Sequence, residues 1–220
     1  MPTLVIRIFI VILFYLLIFF MGYLGFLTYQ TNLTGWFLIL TAFTYGLGGP
    51  LLLRTRLRKE RIVRQEKWDL SLWMVVPGFL VVFYASPLEY LLLPKILHNT
   101  LWMQILGLVL IGISMLLFGW ARIVLGGMYS GHLQVKTDHI LVQQGPYRII
   151  RHPAYAAYII MGFGIAIGYS SLIGFLSIPL LLLPALIYRI FVEEKILSAE
   201  FGEQYKQYSN GTRRLIPGVW

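Results

Sequence analysis

The stretch PAYAAYIIMGFGIAIGYSSLIGFLSIPLLLLPALIYRIF, residues 153–191, contains one charged side chain, Arg189. As a single straight helix it would run about 58 Å at ~1.5 Å per residue. That is nearly twice a hydrocarbon core of roughly 30 Å. The run GYSSLIG at 168–174 supplies residues that favour a turn, so the stretch reads as a helical hairpin of two membrane crossings. Pro179 and Pro184 are expected to bend its second arm.

Further runs long enough to cross a bilayer lie toward the N-terminus, near 4–28, 33–53, 71–93 and 101–125. The reading is an all-α integral membrane protein, a bundle of about six transmembrane helices, or five if the last hairpin is read differently. A composition of 58% hydrophobic and 12% charged residues fits that class and no soluble one. No polar stretch is long enough to fold alone, so one domain is expected over 1–220. It divides into four spans (1–125), a cytosolic loop (126–152), the hairpin (153–192) and a cytosolic tail (193–220). The first run exceeds a signal-peptide core and no small-residue cleavage site follows it, so it is expected to remain as a span. The absence of cysteine excludes disulfides, thiol nucleophiles and thiolate metal sites.

A net charge of +9 raises the question of nucleic acid, but the position of the charges answers it. Seven of the 18 cations lie in RTRLRKERIVRQEK, residues 54–67, between the second and third spans. Positive loops stay in the cytosol. Alternation across six spans then places both termini and the segment 126–152 on that side, with Lys95 in an outer loop. The basic loop is expected to lie against anionic head groups, and no nucleic-acid partner is expected.

Most polar groups able to do chemistry fall in 126–155 and 189–217. The first region, GGMYSGHLQVKTDHILVQQGPYRIIRHP followed by AY, is broken by Gly126, Gly127, Gly131 and Gly145-Pro146 and reads as an irregular loop. Pro153 then suits the first turn of a helix, and the backbone donors beyond it would attract a carboxylate or phosphate. In the second region Arg189 and Glu193 stand four apart on one helix face, with Glu194 beside them. An ionisable group one turn inside the membrane boundary marks a functional site or snorkels to the interface. The glutamates alone fit a solvated helix end paired with Arg189 or Lys195.

These residues resemble the isoprenylcysteine carboxyl methyltransferase and phospholipid methyltransferase family. The likeness runs through His139, Leu141, Val142, Gly145, Tyr147, Arg151-His152-Pro153 and Tyr155. It continues with Arg189, Glu193-Glu194, Phe201-Gly202, Tyr205, Tyr208 and Ile216-Pro217, covering about 80 of 220 residues. A short chain with few extensions resembles a prokaryotic, plasma-membrane member. The resemblance implies methyl transfer from S-adenosyl-L-methionine to a lipophilic acceptor, either a small molecule or a prenylated chain end. It implies a cofactor site built from His139, Ile140, Leu141, Val142, Gly145, Tyr147, Arg151, His152, Pro153, Ala154, Tyr155 and Glu193. Arg189 would face the acceptor, and if that acceptor is an amine, Glu194 or His139 is a candidate base. A family glutamine corresponds to His132 or to Gln134, a choice the sequence leaves open, and Ala157 stands where relatives carry glycine.

Chemically the set suits that ligand. A helix start fits its carboxylate, Glu193 its ammonium or ribose, and Tyr147 and Tyr155 its adenine and sulfonium. Methyl transfer from a sulfonium needs orientation more than metal, and His98, His132, His139 and His152 lack zinc-ligand spacing. No metal is expected. GFGIAIG at 162–168 lacks the strand of a dinucleotide site, and Gly164 and Gly168 read as a close-packing face. Alternatives are an amine-directed phospholipid N-methyltransferase, a membrane reductase using a reduced nicotinamide dinucleotide phosphate, and a non-catalytic transporter or assembly factor.

Overall fold

In hydrocarbon every backbone N–H and C=O must be paired within its own segment, so apolar runs of membrane length become helices. The computed structural model describes residues 2–55, 62–65, 70–94, 96–128, 134–136 and 140–220. Helix α1 covers Pro2–Thr28 and α2 Thr34–Thr55. The third stretch consists of α3 (Leu70–Leu80), a π-helical turn (Val81–Ala85) and α4 (Ser86–Leu92). Then come α5 (Leu101–Leu125) and α6 (Pro153–Gly168). The last rod is α7 (Leu172–Ser177), a second π-helical turn (Ile178–Leu182) and α8 (Leu183–Phe201), followed by α9 (Glu203–Gly211).

The helical stretches fall where the apolar runs lie, and the hairpin turn sits at 169–171 as GYSSLIG requires. By length and composition Ile8–Thr28, Trp73–Leu92, Leu101–Leu125 and Leu172–Phe201 can each cross a bilayer, whereas Pro153–Gly168 is apolar but shorter. The last rod runs on to Phe201, so Arg189, Glu193 and Glu194 share one continuous helix, as the sequence reading expected. Pro179 lies within the second π-helical turn and Pro184 at the start of α8, where the sequence placed a bend.

Packing follows the small residues. A Cβ on Gly107 of α5 would stand 2.6 Å from the Gly164 carbonyl oxygen of α6, so backbone meets backbone there. Only glycine permits that approach. The core around this contact holds Leu38, Val82, Ile111, Ile165, Tyr169 and Ile178. A second cluster, Val75, Leu182, Ala185 and Leu186, has Phe79, Tyr155 and Tyr158 packed against it. On the outside Phe19, Trp73, Leu116 and Ile123 are more than three-quarters exposed, an apolar surface suited to lipid.

One departure from the sequence reading concerns the loops. Strand β1 (Ile62–Gln65) in the basic loop pairs antiparallel with β2 (Gln134–Lys136), in a segment expected to be irregular. The pairing joins these two short strands, and β2 lies against α8.

Candidate functional site

Pro153 starts α6 because its missing N–H costs nothing in a first turn. The chain ahead of it is extended and lies beside the tail. Ile150 bridges Arg213, the Arg151 N–H donates to the Arg213 carbonyl at 2.7 Å, and the His152 N–H donates to the Arg214 carbonyl at 3.0 Å. The Tyr155 and Ala156 N–H groups turn back onto the His152 carbonyl, both at 3.1 Å. The helix start therefore offers fewer open donors to an anion than the sequence reading expected.

Against this junction α8 presents its charges. Tyr155 Oη donates to Glu193 Oε2 at 2.7 Å and accepts from Arg189 Nε at 2.9 Å. The two ends of the expected Arg189–Glu193 pair are thus joined through a phenol. His152 stacks on Tyr155, with ring planes 9° apart and centroids at 5.4 Å. Its Nδ1 lies 3.6 Å from Glu193 Oε2 and its Nε2 3.4 Å from Glu194 Oε1. Burial pulls the imidazolium's pKa down, but hydrogen bonds and charge from both glutamates outweigh that and hold it above the ordinary histidine value.

Glu194 has other partners than those the sequence offered. Arg151 Nε donates to its Oε1 at 2.9 Å and Arg214 Nε to its Oε2 at 2.9 Å. Arg151 also donates through Nη1 to the Ser209 carbonyl at 2.9 Å and to the Thr212 carbonyl, and so fastens the tail. The Arg214 guanidinium lies over Phe191 and Trp220, 5.2 and 5.3 Å from their centroids. Tyr208 is fixed by donating to the Tyr147 carbonyl at 2.7 Å. Three residues before it Tyr205 is 3% exposed, and its hydroxyl has no hydrogen-bond partner among the described residues.

The structure therefore brings together Tyr147, Arg151, His152, Pro153, Tyr155, Arg189, Glu193 and Glu194. Gly145, at φ +57°, opens a 3-10 turn (Gly145–Arg148) whose backbone passes so close to Trp120 and Val124 that a Cβ would stand 2.8 Å from Val124. Leu141, Val142 and Ala154 are half-buried, whereas Ile140 is 64% exposed. Gln134 contributes backbone to β2, and His132 and His139 lie outside the described residues. Arg214, Ser209 and Thr212 were missed because their part depends on the tail folding back. The tyrosine spacing at 205 and 208 was the available signal for the rest.

Apolar helices long enough to cross a bilayer, with a buried ionic cluster at one end, define a multi-pass integral membrane protein. The profile described as phospholipid methyltransferase matches residues 102–204, which hold α6, α8, nearly all of α5 and the ionic cluster except Arg214. Protein-S-isoprenylcysteine O-methyltransferase A of Arabidopsis thaliana is 26% identical over 156 residues, 68% of this chain and 79% of that one. The Tribolium castaneum protein-S-isoprenylcysteine O-methyltransferase is 31% identical over 123 residues, 54% of this chain and 43% of that one. The solved structure of a eukaryotic intramembrane Ras methyltransferase, an isoprenylcysteine carboxyl methyltransferase, superposes with a TM-score of 0.59 at 22% identity, covering 99% of this chain and 86% of that one. The chain is thus similar, in sequence over its C-terminal half and in fold over nearly its whole length, to the phospholipid and isoprenylcysteine carboxyl methyltransferases, which are membrane-embedded enzymes.

Proposed function

We propose that this enzyme transfers a methyl group from S-adenosyl-L-methionine to a carboxylate on a lipid-anchored acceptor, such as a prenylated cysteine end. The observation that carries the acceptor class is the state of the acidic groups. Glu194 is held by two guanidinium groups, and Glu193 accepts from Tyr155 and faces His152. No carboxylate of the cluster is left to take a proton from an amine. A carboxylate acceptor needs no base. Arg189, Arg151, Arg214 and a protonated His152 also outnumber Glu193 and Glu194, a balance that favours an anionic partner.

The donor set suits the methyl donor: a glutamate for its ammonium or ribose, and aromatic rings near the glutamate for the sulfonium and adenine. When bound, it supplies an activated methyl group. Arg189 positions the acceptor carboxylate while Tyr155 accepts from its Nε. Burial strips water from that carboxylate and raises its reactivity. The basic loop and its pairing with β2 support a cytosolic site, by the positive-inside rule.

Calorimetric titration of the detergent-purified protein tests the cofactor. Micromolar binding of S-adenosylhomocysteine, none of the reduced nicotinamide dinucleotide phosphate, and loss of the former in Glu193→Gln are expected. Labelled-methyl transfer to a prenylated cysteine with a free carboxylate, set against an aminophospholipid, tests the acceptor. Labelling of the amine alone would overturn the carboxylate reading.

A further inference from the structure

Two tyrosines of α9 stand three residues apart, both buried, yet their hydroxyls differ. That of Tyr208 donates to the Tyr147 carbonyl, and that of Tyr205 has no partner among the described residues. A buried hydroxyl without a hydrogen bond is destabilising and asks for an explanation. Phenylalanine would fill the same volume without that cost. The surroundings narrow the explanation, because Tyr205 lies within charge range of Glu194, Arg151 and Glu193, the side chains that line the candidate cofactor site. Those three are already committed to one another, to Tyr155 and to the tail. The group missing from Tyr205 is therefore expected to come from outside the chain.

We infer that Tyr205 is a further binding residue of this site, its hydroxyl donating a hydrogen bond to an oxygen of the bound S-adenosyl ligand. Burial raises the phenol's pKa, so it remains a donor at every working pH. The inference rests on the cofactor reading above, and the two can fail separately.

The experiment compares wild type, Tyr205→Phe and Tyr208→Phe in detergent, by thermal unfolding of the ligand-free proteins and by titration with S-adenosylhomocysteine. Tyr205→Phe is expected to unfold at the same or a higher temperature than wild type while binding about three- to tenfold more weakly, the size of one buried hydrogen bond. Tyr208→Phe, which removes a bond made within the fold, is expected to unfold earlier. Equal affinity in Tyr205→Phe and wild type would overturn the inference and leave the cofactor reading intact. Earlier unfolding of Tyr205→Phe would overturn it as well, by showing that the hydroxyl is satisfied within the chain. Wild type that does not bind at all would overturn the cofactor reading itself.

Discussion

The two ends of α6 use polarity in opposite ways. At the Gly168 end Asn32 Nδ2 and Asn99 Nδ2 both donate to the Gly168 carbonyl, at 2.9 and 3.0 Å. Gln104 donates to Asn99 and accepts from the Leu33 N–H, and the Tyr169 hydroxyl pairs with Thr28. The carboxylate there, Glu89, caps α7 by accepting from the N–H groups of Leu172 and Ile173 and from the Ser171 hydroxyl. This network is built mainly of neutral amides and hydroxyls, and it pins a turn in which Ser170 adopts φ +52°. At the Pro153 end the groups are ionic, and each end keeps buried hydroxyls without a partner among the described residues, Tyr205 here and Thr34 and Ser86 at the neutral end. Neutral groups that satisfy each other hold geometry. Charged groups kept together under burial hold the capacity to bind, and they are costly to leave unpaired.

Breaking the ionic end should cost most. Glu194→Ala leaves Arg151, Arg214 and His152 facing one another, and a loss of about 3–5 kcal/mol in stability is expected, as when one partner of a buried pair is removed. Unfolding followed by tryptophan fluorescence checks it. Next, Arg189→Ala should lower transfer to the acceptor by about a hundredfold, roughly 2.7 kcal/mol, while S-adenosylhomocysteine affinity stays within about threefold. Equal losses in both would place Arg189 on the cofactor side of Tyr155.

At the neutral end, Asn32→Ala strands the Thr34 N–H and one donor to Gly168, and should cost about 1–3 kcal/mol in stability with kcat of the folded fraction unchanged. A fall in kcat would show that the two ends are coupled along the helix. The smallest effect concerns pH. The folded pKa of His152 is raised, so its contribution to stability is complete below the unfolded value of about 6.5 and is lost as pH rises through the folded value. Unfolding temperatures should therefore drop across neutral to mildly alkaline pH in wild type, and this step should be absent in His152→Gln.

Span positions and the hairpin turn were legible because length and hydropathy act locally. Gly164 against Gly107 was half legible, since the sequence shows a small-residue face but not what it meets. The neutral knot was illegible: Asn32, Asn99 and Gln104 belong to separate connections, and only the folded bundle brings them onto one carbonyl. In the site, Glu193 and Glu194 were equivalent as letters. Successive helical residues point about 100° apart, and which of them meets Tyr155 and which meets Arg151 depends on how α8 is turned.

That turning has an identifiable origin in the wide segment Ile178–Leu182, which lies one rod away from its counterpart Val81–Ala85. A π-helical turn holds one residue more than an α-turn, so it resets the phase of everything after it by about 100°. With the upstream rod held in place, winding the same residues as plain α-helix would bring Glu193 to the angular position of Glu194, and Val192 to that of Glu193. The carboxylate that meets Tyr155 would be exchanged for an apolar side chain without a change in the sequence. The charge offered to the site is thus set by one wide turn in the middle of the rod.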